Sequence, residues 1–155
     1  MTYFSVSLEV PFRLGDNAEF NQDPAFWMDG VKPFVRIDVV LLETPIPDLT
    51  TTDGIYFTSP RLADELKELS GLRERDYTLA FDDQMKELGE FGGGKVPELM
   101  CFEVTGRYGR HDFAHVNGLT DLLVSEQALA MLRHFDLGDL ADIRPFRTGT
   151  CHRPR

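Results

Sequence analysis

His111, Asp112 and His115 spell H-D-x-x-H, residue types that can ligate a divalent metal and so activate water for hydrolysis. Two histidines one turn apart chelate only when a helix places both on one face, and this stretch lies between Gly109 and Gly118 with no periodic apolar run. The spacing points instead to a structural loop, in which Asp112 or a histidine bonds backbone and Phe113 enters the core. A small metal-dependent hydrolase built on His111, Asp112 and His115 is the enzymatic alternative. Phe91 to Lys95, FGGGK, has the glycines of a phosphate loop without the G-x-x-x-x-G-K-[ST] spacing, and Val96-Pro97 follows where a helix should begin. Ser125 follows a strand-like run, but G-x-S-x-G is absent and its hydroxyl is placed to cap a helix. Asp82-Asp83 could act as paired carboxylates; adjacent acids at a helix start serve more often as caps and dipole partners. None of these motifs defines an enzyme, so no catalytic residue, metal ligand or cofactor is expected.

The element that must position these groups is clearest from Asp121 to Phe146. Leu122 to Val124 suits a buried strand, and Ser125 then offers its hydroxyl to the free N–H groups of a new helix. Ala128, Leu129, Met131, Leu132 and Phe135 share one arc at the 3.6-residue period, while Gln127, Ala130, Arg133 and His134 face away. Gly138 supplies a left-handed exit, so the helix is expected to end near Leu137, and Asp142 to Phe146 alternates like a half-exposed strand. The whole is a β-α-β unit. The same pattern occurs earlier: Ile55 to Phe57, a Ser59 cap, Pro60 at the first helical position, a stripe of Leu62, Ala63, Leu66 and Leu69, Gly71, then a strand over Asp76 to Phe81. A duplicated module or a convergent local solution both explain this likeness.

Around these units, Thr2 to Val10 predicts a strand with Phe4, Val6, Leu8 and Val10 on one face, ended by Pro11. Residues 13–33 are punctuated too often by Gly and Pro for a long element, and Trp27 within them serves either as a lid on the core or as an interface anchor. Phe34 to Glu43 reads as one long strand that becomes central, and TPIPDLTTTDG as a loop. Asp82 to Glu90 predicts a short acidic helix, Glu98 to Thr105 a strand that returns to the core, and residues 147–155 a frayed basic tail. The expected fold is α+β: one globular domain over residues 1–155, with a mixed sheet and two β-α-β-like units packed on one core.

Of 155 residues, 42% are apolar, ample for such a core. No apolar run approaches the roughly 18 residues of a membrane span, and the N-terminus lacks the pattern of a signal peptide, so no membrane and a cytoplasmic location are expected. Cys101 and Cys151 lack ligand-type spacing; the first reads as a core thiol and the second as a surface thiol. A net charge of −10 disfavours nucleic acid as a partner. All of that imbalance falls in residues 1–100, which hold 19 acidic and 9 basic side chains against 7 of each afterwards. It is either a solubilising surface or an acidic face that steers a basic partner.

From Gly106 to Phe146 the chain carries G-R-Y-G-R-H-D-F, then L-L-V-S-E-x-A-L-x-x-L, then A-D-I-R-P-F. This last third resembles bacterial immunity proteins of polymorphic-toxin and type VI secretion systems. The resemblance implies a non-catalytic antitoxin that binds and blocks a cognate toxin, and the charge reading, taken separately, makes that toxin domain basic. The expected contacts are acidic residues in irregular or terminal segments of the first hundred: Asp16, Glu19, Asp23, Asp48, Asp53, Asp82, Asp83, Glu87 and Glu90, with Trp27 as an anchor. The rival classes are the hydrolase above and an interaction domain unrelated to toxins.

Overall fold

A computed structural model describes residues 2–27, 32–83, 98–116 and 121–147. Two serines start the two α-helices whose bounds fall among the described residues. The Ser59 hydroxyl oxygen accepts the Leu62 N–H at 3.3 Å, Pro60 takes the first position, and α1 runs Pro60–Leu66. Ser125 repeats this for α2, Glu126–Leu132, accepting the Ala128 N–H at 3.1 Å with Glu126 in the first turn. α2 stops five residues before the expected Leu137, because the next turns tighten: His134 bonds back to Met131 and Phe135 to Leu132. The glycine exits are as expected, with Gly71 at φ 103° and Gly138 at φ 90°.

Each helix joins two parallel strands that are separated by a third running the other way. In the first sheet the order is β11 (Phe113–Ala114), β12 (Leu122–Ser125), β1 (Tyr3–Ser7), β13 (Asp142–Phe146), and β1 is antiparallel to both neighbours. In the second it is β6 (Leu49–Thr52), β7 (Ile55–Thr58), β10 (Met100–Val104), β8 (Leu72–Arg75), with β10 in the place of β1. The strand completing the earlier unit is therefore β8, not Asp76 to Phe81. Leu72–Arg75, LRER, is an edge strand with charged side chains on both faces, so no alternation marks it. β9 (Thr78–Phe81) instead runs parallel to β5 (Asp38–Leu41) in a third sheet with β2 (Phe12–Leu14).

The likeness of the two units extends to their anchorage. The Ser59 N–H bonds to Asp48 O at 2.9 Å and the Ser125 N–H to Asp112 O at 2.8 Å. The Asp48 N–H then bonds to Asp136 O beyond α2, and the Phe113 N–H to Ser70 O beyond α1. Each unit is thus fastened to the exit of the other unit's helix. The helix faces match with one exchange of size: Leu62, Ala63 and Leu66 are buried from α1, and Ala128, Leu129 and Leu132 from α2.

Both helices share one core with Val6, Leu122 and Val124 of the first sheet and Tyr56, Phe102 and Val104 of the second. The opposite face of the second sheet, with Ile55, Phe57 and Cys101, packs on Phe12, Ile37, Val39 and Leu41. All four residues of β7 are buried, as a strand covered on both faces requires. Other expectations shift at their edges. β1 stops at Ser7, which leaves Val10 exposed, while Tyr3 on the reverse face is buried under the 107–111 loop. Phe34 to Glu43 divides into β4 (Phe34–Arg36), paired with β3 (Glu19–Phe20), and the central β5. The TTT segment, read as loop, is β6: Thr50 and Thr52 are buried, and the Thr50 hydroxyl donates to Phe57 O at 3.4 Å.

The protein is α+β, with its strands in four sheets among the described residues. No described helix is long and apolar enough to cross a membrane. The expected acidic helix, past Asp83, and the basic tail, past Arg147, lie outside the described residues, as does Cys151. Cys101 is a core thiol: burial pushes it up to about 12 from 9.0, against a smaller opposing pull from Arg75. Its protonated form is therefore favoured by folding. That contribution is complete below about pH 9, where the unfolded thiol is also protonated, and is lost as pH rises toward 12. Iodoacetamide at about pH 8.5 should leave Cys101 unmodified until denaturant is added, as peptide mass mapping would show; rapid labelling of native protein would contradict this burial.

Candidate functional site

The H-D-x-x-H loop is held by Tyr3. Its hydroxyl donates to His111 O at 2.5 Å and accepts the Gly109 N–H at 3.0 Å, while its ring lies 4.7 Å from that of Tyr108. His111 Nδ1 accepts the Arg107 N–H at 2.8 Å, so the neutral ring carries its proton on Nε2. Asp112 ties three segments together: one oxygen accepts the Ser70 N–H and hydroxyl at 3.0 and 3.2 Å, the other the Ser125 hydroxyl at 2.6 Å. His115, only 6% exposed, meets the Tyr56 hydroxyl through Nε2 at 2.9 Å, and burial raises the pKa of that phenol. Among the described residues no three His, Cys, Asp or Glu side chains converge as a metal site. Phe113 enters the core, as the glycine-bounded loop implies.

His115 also reaches the back of a cleft of about 350 Å³ at the turn end of the second sheet. One wall is formed by Asn21, Phe26 and the Lys32 to Val35 stretch. Asp23 caps the 3-10 turn Pro24–Phe26 by accepting the Ala25 N–H at 3.0 Å, and its own N–H donates to the Asn21 side chain at 2.9 Å. The Trp27 indole N–H donates to Asn21 O at 2.9 Å, and the Lys32 ammonium lies 5.1 Å from the Trp27 ring centre. Phe26 and, from β4, Val35 line the cleft and are 61% and 55% exposed. Facing them is the β6–β7 turn, where Thr52 pairs with Ile55 and only Asp53 and Gly54 intervene. Both have positive φ, 49° and 86°, the geometry of a two-residue hairpin that Asp-Gly suits. A third side is Glu103, which binds Arg73 at 2.5 Å and Arg75 at 3.2 Å; Arg75 also donates to Phe34 O.

Of the residues expected to contact a partner, three gather here. Asp53 lines the cleft, and Asp23 and Trp27 shape its wall through Asn21. Asp48 sits at the other end of β6, roughly 17 Å from Asp53 at about 3.3 Å per strand residue. Its carboxylate accepts Arg61 at 3.2 Å and the Asp136 N–H at 2.9 Å, so it clamps α1 to the exit of α2. Asp16 is exposed near the start of β5, where the Gly15 N–H bonds to Asp38 O, while the Asp82 N–H bonds to Leu41 O at its far end. Arg13 approaches Asp82 at 4.0 Å, Glu19 lies opposite Arg36 in the β3–β4 pair, and Asp83 is exposed. Glu87 and Glu90 lie outside the described residues. Sequence reasoning missed Phe26, Val35, Arg73 and Glu103. The Asp-Gly dipeptide between LTTT and IYFT was the available signal for the hairpin that faces them.

Comparison of the chain with protein-family models, curated proteins and solved structures finds no match in any of the three. What the fold and the cleft define is an α+β protein with a largely apolar concavity edged by Lys32, Asp53, Arg73 and Glu103.

Proposed function

We propose that the protein is a non-enzymatic immunity protein, acting in the cytoplasm, that binds a cognate basic toxin domain and masks its active site. The observation that carries this reading is the cleft mouth. Phe26 and Val35 expose apolar surface at a cleft that Asp53 also lines, and the Asp53 carboxylate forms no ion pair with another described residue. An apolar centre with a charged rim is the composition of a protein interface, and held aromatic groups lose little freedom on binding. The acidic excess of residues 1–100 gives the long-range attraction. The motifs that resemble immunity proteins build the loop and the second unit, a frame for the acidic surface.

Blockade then follows from charge. A toxin that attacks nucleic acid needs a basic surface, and an acidic protein can occupy it in place of the phosphates. Titration calorimetry against the toxin domain encoded by the neighbouring gene should give a complex with Kd of order nanomolar. Its association rate should fall by about tenfold or more between low and high salt, since exposed charges more than about 10 Å apart are screened at 0.1 M. Absence of binding at every ionic strength would sink the proposal.

A further inference from the structure

The two Ser-capped units agree in more than their local pattern. Thr58 lies between Leu49 and Met100, and Val124, in the same place before its own serine, lies between Phe113 and Phe4. One residue earlier, Phe57 faces Cys101 with Arg75 beyond it, and Leu123 faces Ser5 with Arg144 beyond it. The rows that enter the shared core correspond as well: Met100, Phe102 and Val104 in one sheet, Phe4, Val6 and Leu8 in the other. Asp48 and Asp112 match through their bonds. Each carboxylate accepts the backbone N–H of the residue eleven places past the other unit's capping serine, Asp136 at 2.9 Å and Ser70 at 3.0 Å. A cap and an apolar stripe are local and recur readily, but nothing local sets one register on strands that lie far apart in the chain.

The order of elements along the chain shows what has changed places. β1, β6, β7, α1 and β8 come first, then β10, β11, β12, α2 and β13. In each series the opening strand leaves its own sheet and sits inside the other, β1 between β12 and β13 and β10 between β7 and β8. We infer that the chain is a duplicated β-β-β-α-β module whose two copies have exchanged their opening strands, so that neither sheet opens unless the other does. Taking β1 out would leave the facing edges of β12 and β13 without partners, and taking β10 out would do the same to β7 and β8. What the first copy adds lies between its opening strand and β6, where residues 8–48 carry β2 to β5; the second copy has residues 105–112 at that place. The interlock is therefore a property of the duplicated core and holds whatever the chain binds.

Native-state hydrogen exchange on the full chain tests this. Interior amides of β1 and β12 in one sheet and of β7 and β10 in the other should exchange through one shared opening, with protection factors that agree within about tenfold. Val6→Ala, a truncation in β1, should lower protection by about tenfold or more. The loss should be as large in β7, which pairs with β6 and β10, as in β12, which pairs with β1. One sheet exchanging about 100-fold faster than the other, or a loss confined to β12 and β13, overturns the inference. If Val6→Ala does not fold, the comparison of the two sheets in the native protein still decides. Cut once at a protease site inserted between Gly92 and Gly93, the folded chain should elute as one particle and melt in one transition. Two pieces that part on dilution, or two separate melts, overturn the inference as well.

Discussion

Alanine at Gly106 is expected to destabilise the protein by more than about 3 kcal/mol, the range reached when a buried position is overpacked against backbone. Here three segments meet without side chains between them. The Gly71 carbonyl accepts the Thr105 N–H at 2.8 Å and the Gly106 N–H at 3.1 Å, joining the exit of α1 to the end of β10, while Phe113 at the start of β11 crosses beside them. A Cβ on Gly106 would overlap the Phe113 carbonyl oxygen and lie 2.7 Å from His111 Cβ and 2.8 Å from Gly71 Cα. Two of those three atoms are backbone, which cannot swing aside. Gly71→Ala should be as costly, because its Cβ would meet the same carbonyl and its φ of 103° is strained for any L side chain. Urea denaturation reads both. A wild-type midpoint for Gly106→Ala would mean that this three-way contact does not exist in solution.

Asp112→Ala is expected to cost about 3 kcal/mol, since hydrogen bonds to a charged acceptor contribute roughly 1.5–3 kcal/mol each, discounted here for partial exposure. The substitution strips acceptors from the Ser70 N–H and hydroxyl and from the Ser125 hydroxyl, loosening the bond between the exit of α1 and the start of α2. Asp112→Asn keeps one carbonyl oxygen and should lose about half as much. His111→Ala, which removes a single acceptor for the Arg107 N–H, should stay near 1 kcal/mol. This order, Asp112→Ala above Asp112→Asn above His111→Ala, is what a structural loop predicts. Were the loop a hydrolytic centre, either histidine or the aspartate could be replaced with small effect on folding, so stabilities near wild type for all three would reverse the reading.

Much of the fold is legible in the chain because its signals are local. A serine before an apolar stripe, proline at the first turn and a glycine beyond the last place both helices, and Ser59 and Ser125 do what their spacing implies. The H-D-x-x-H motif, too, could be read as structural from its glycine boundaries. β6 and β8 were hidden because their side chains are threonines or charges, which gain strand character only from the neighbours that pair with them. The cleft was hidden for a related reason. Asn21, Phe26, Val35, Asp53, Glu103 and His115 come from five parts of the chain, and no spacing in sequence relates them.

The sequence by itself determined the two Ser-capped units, the class of fold, the core placement of Cys101 and the acidic imbalance of the first hundred residues. Each depends on residue type and short-range periodicity, which act before distant segments meet. Only the tertiary structure decided that β1 and β10 are inserted between the parallel strands, and that Asp48 and Asp112 fasten one unit to the other. It alone separated Asp48, whose carboxylate is spent on the fold, from Asp53, five residues on, whose carboxylate edges the cleft. The physical reason is that a carboxylate's role is set by the donors that reach it, and for Asp48 those donors come from Arg61 and from Asp136, 88 residues away.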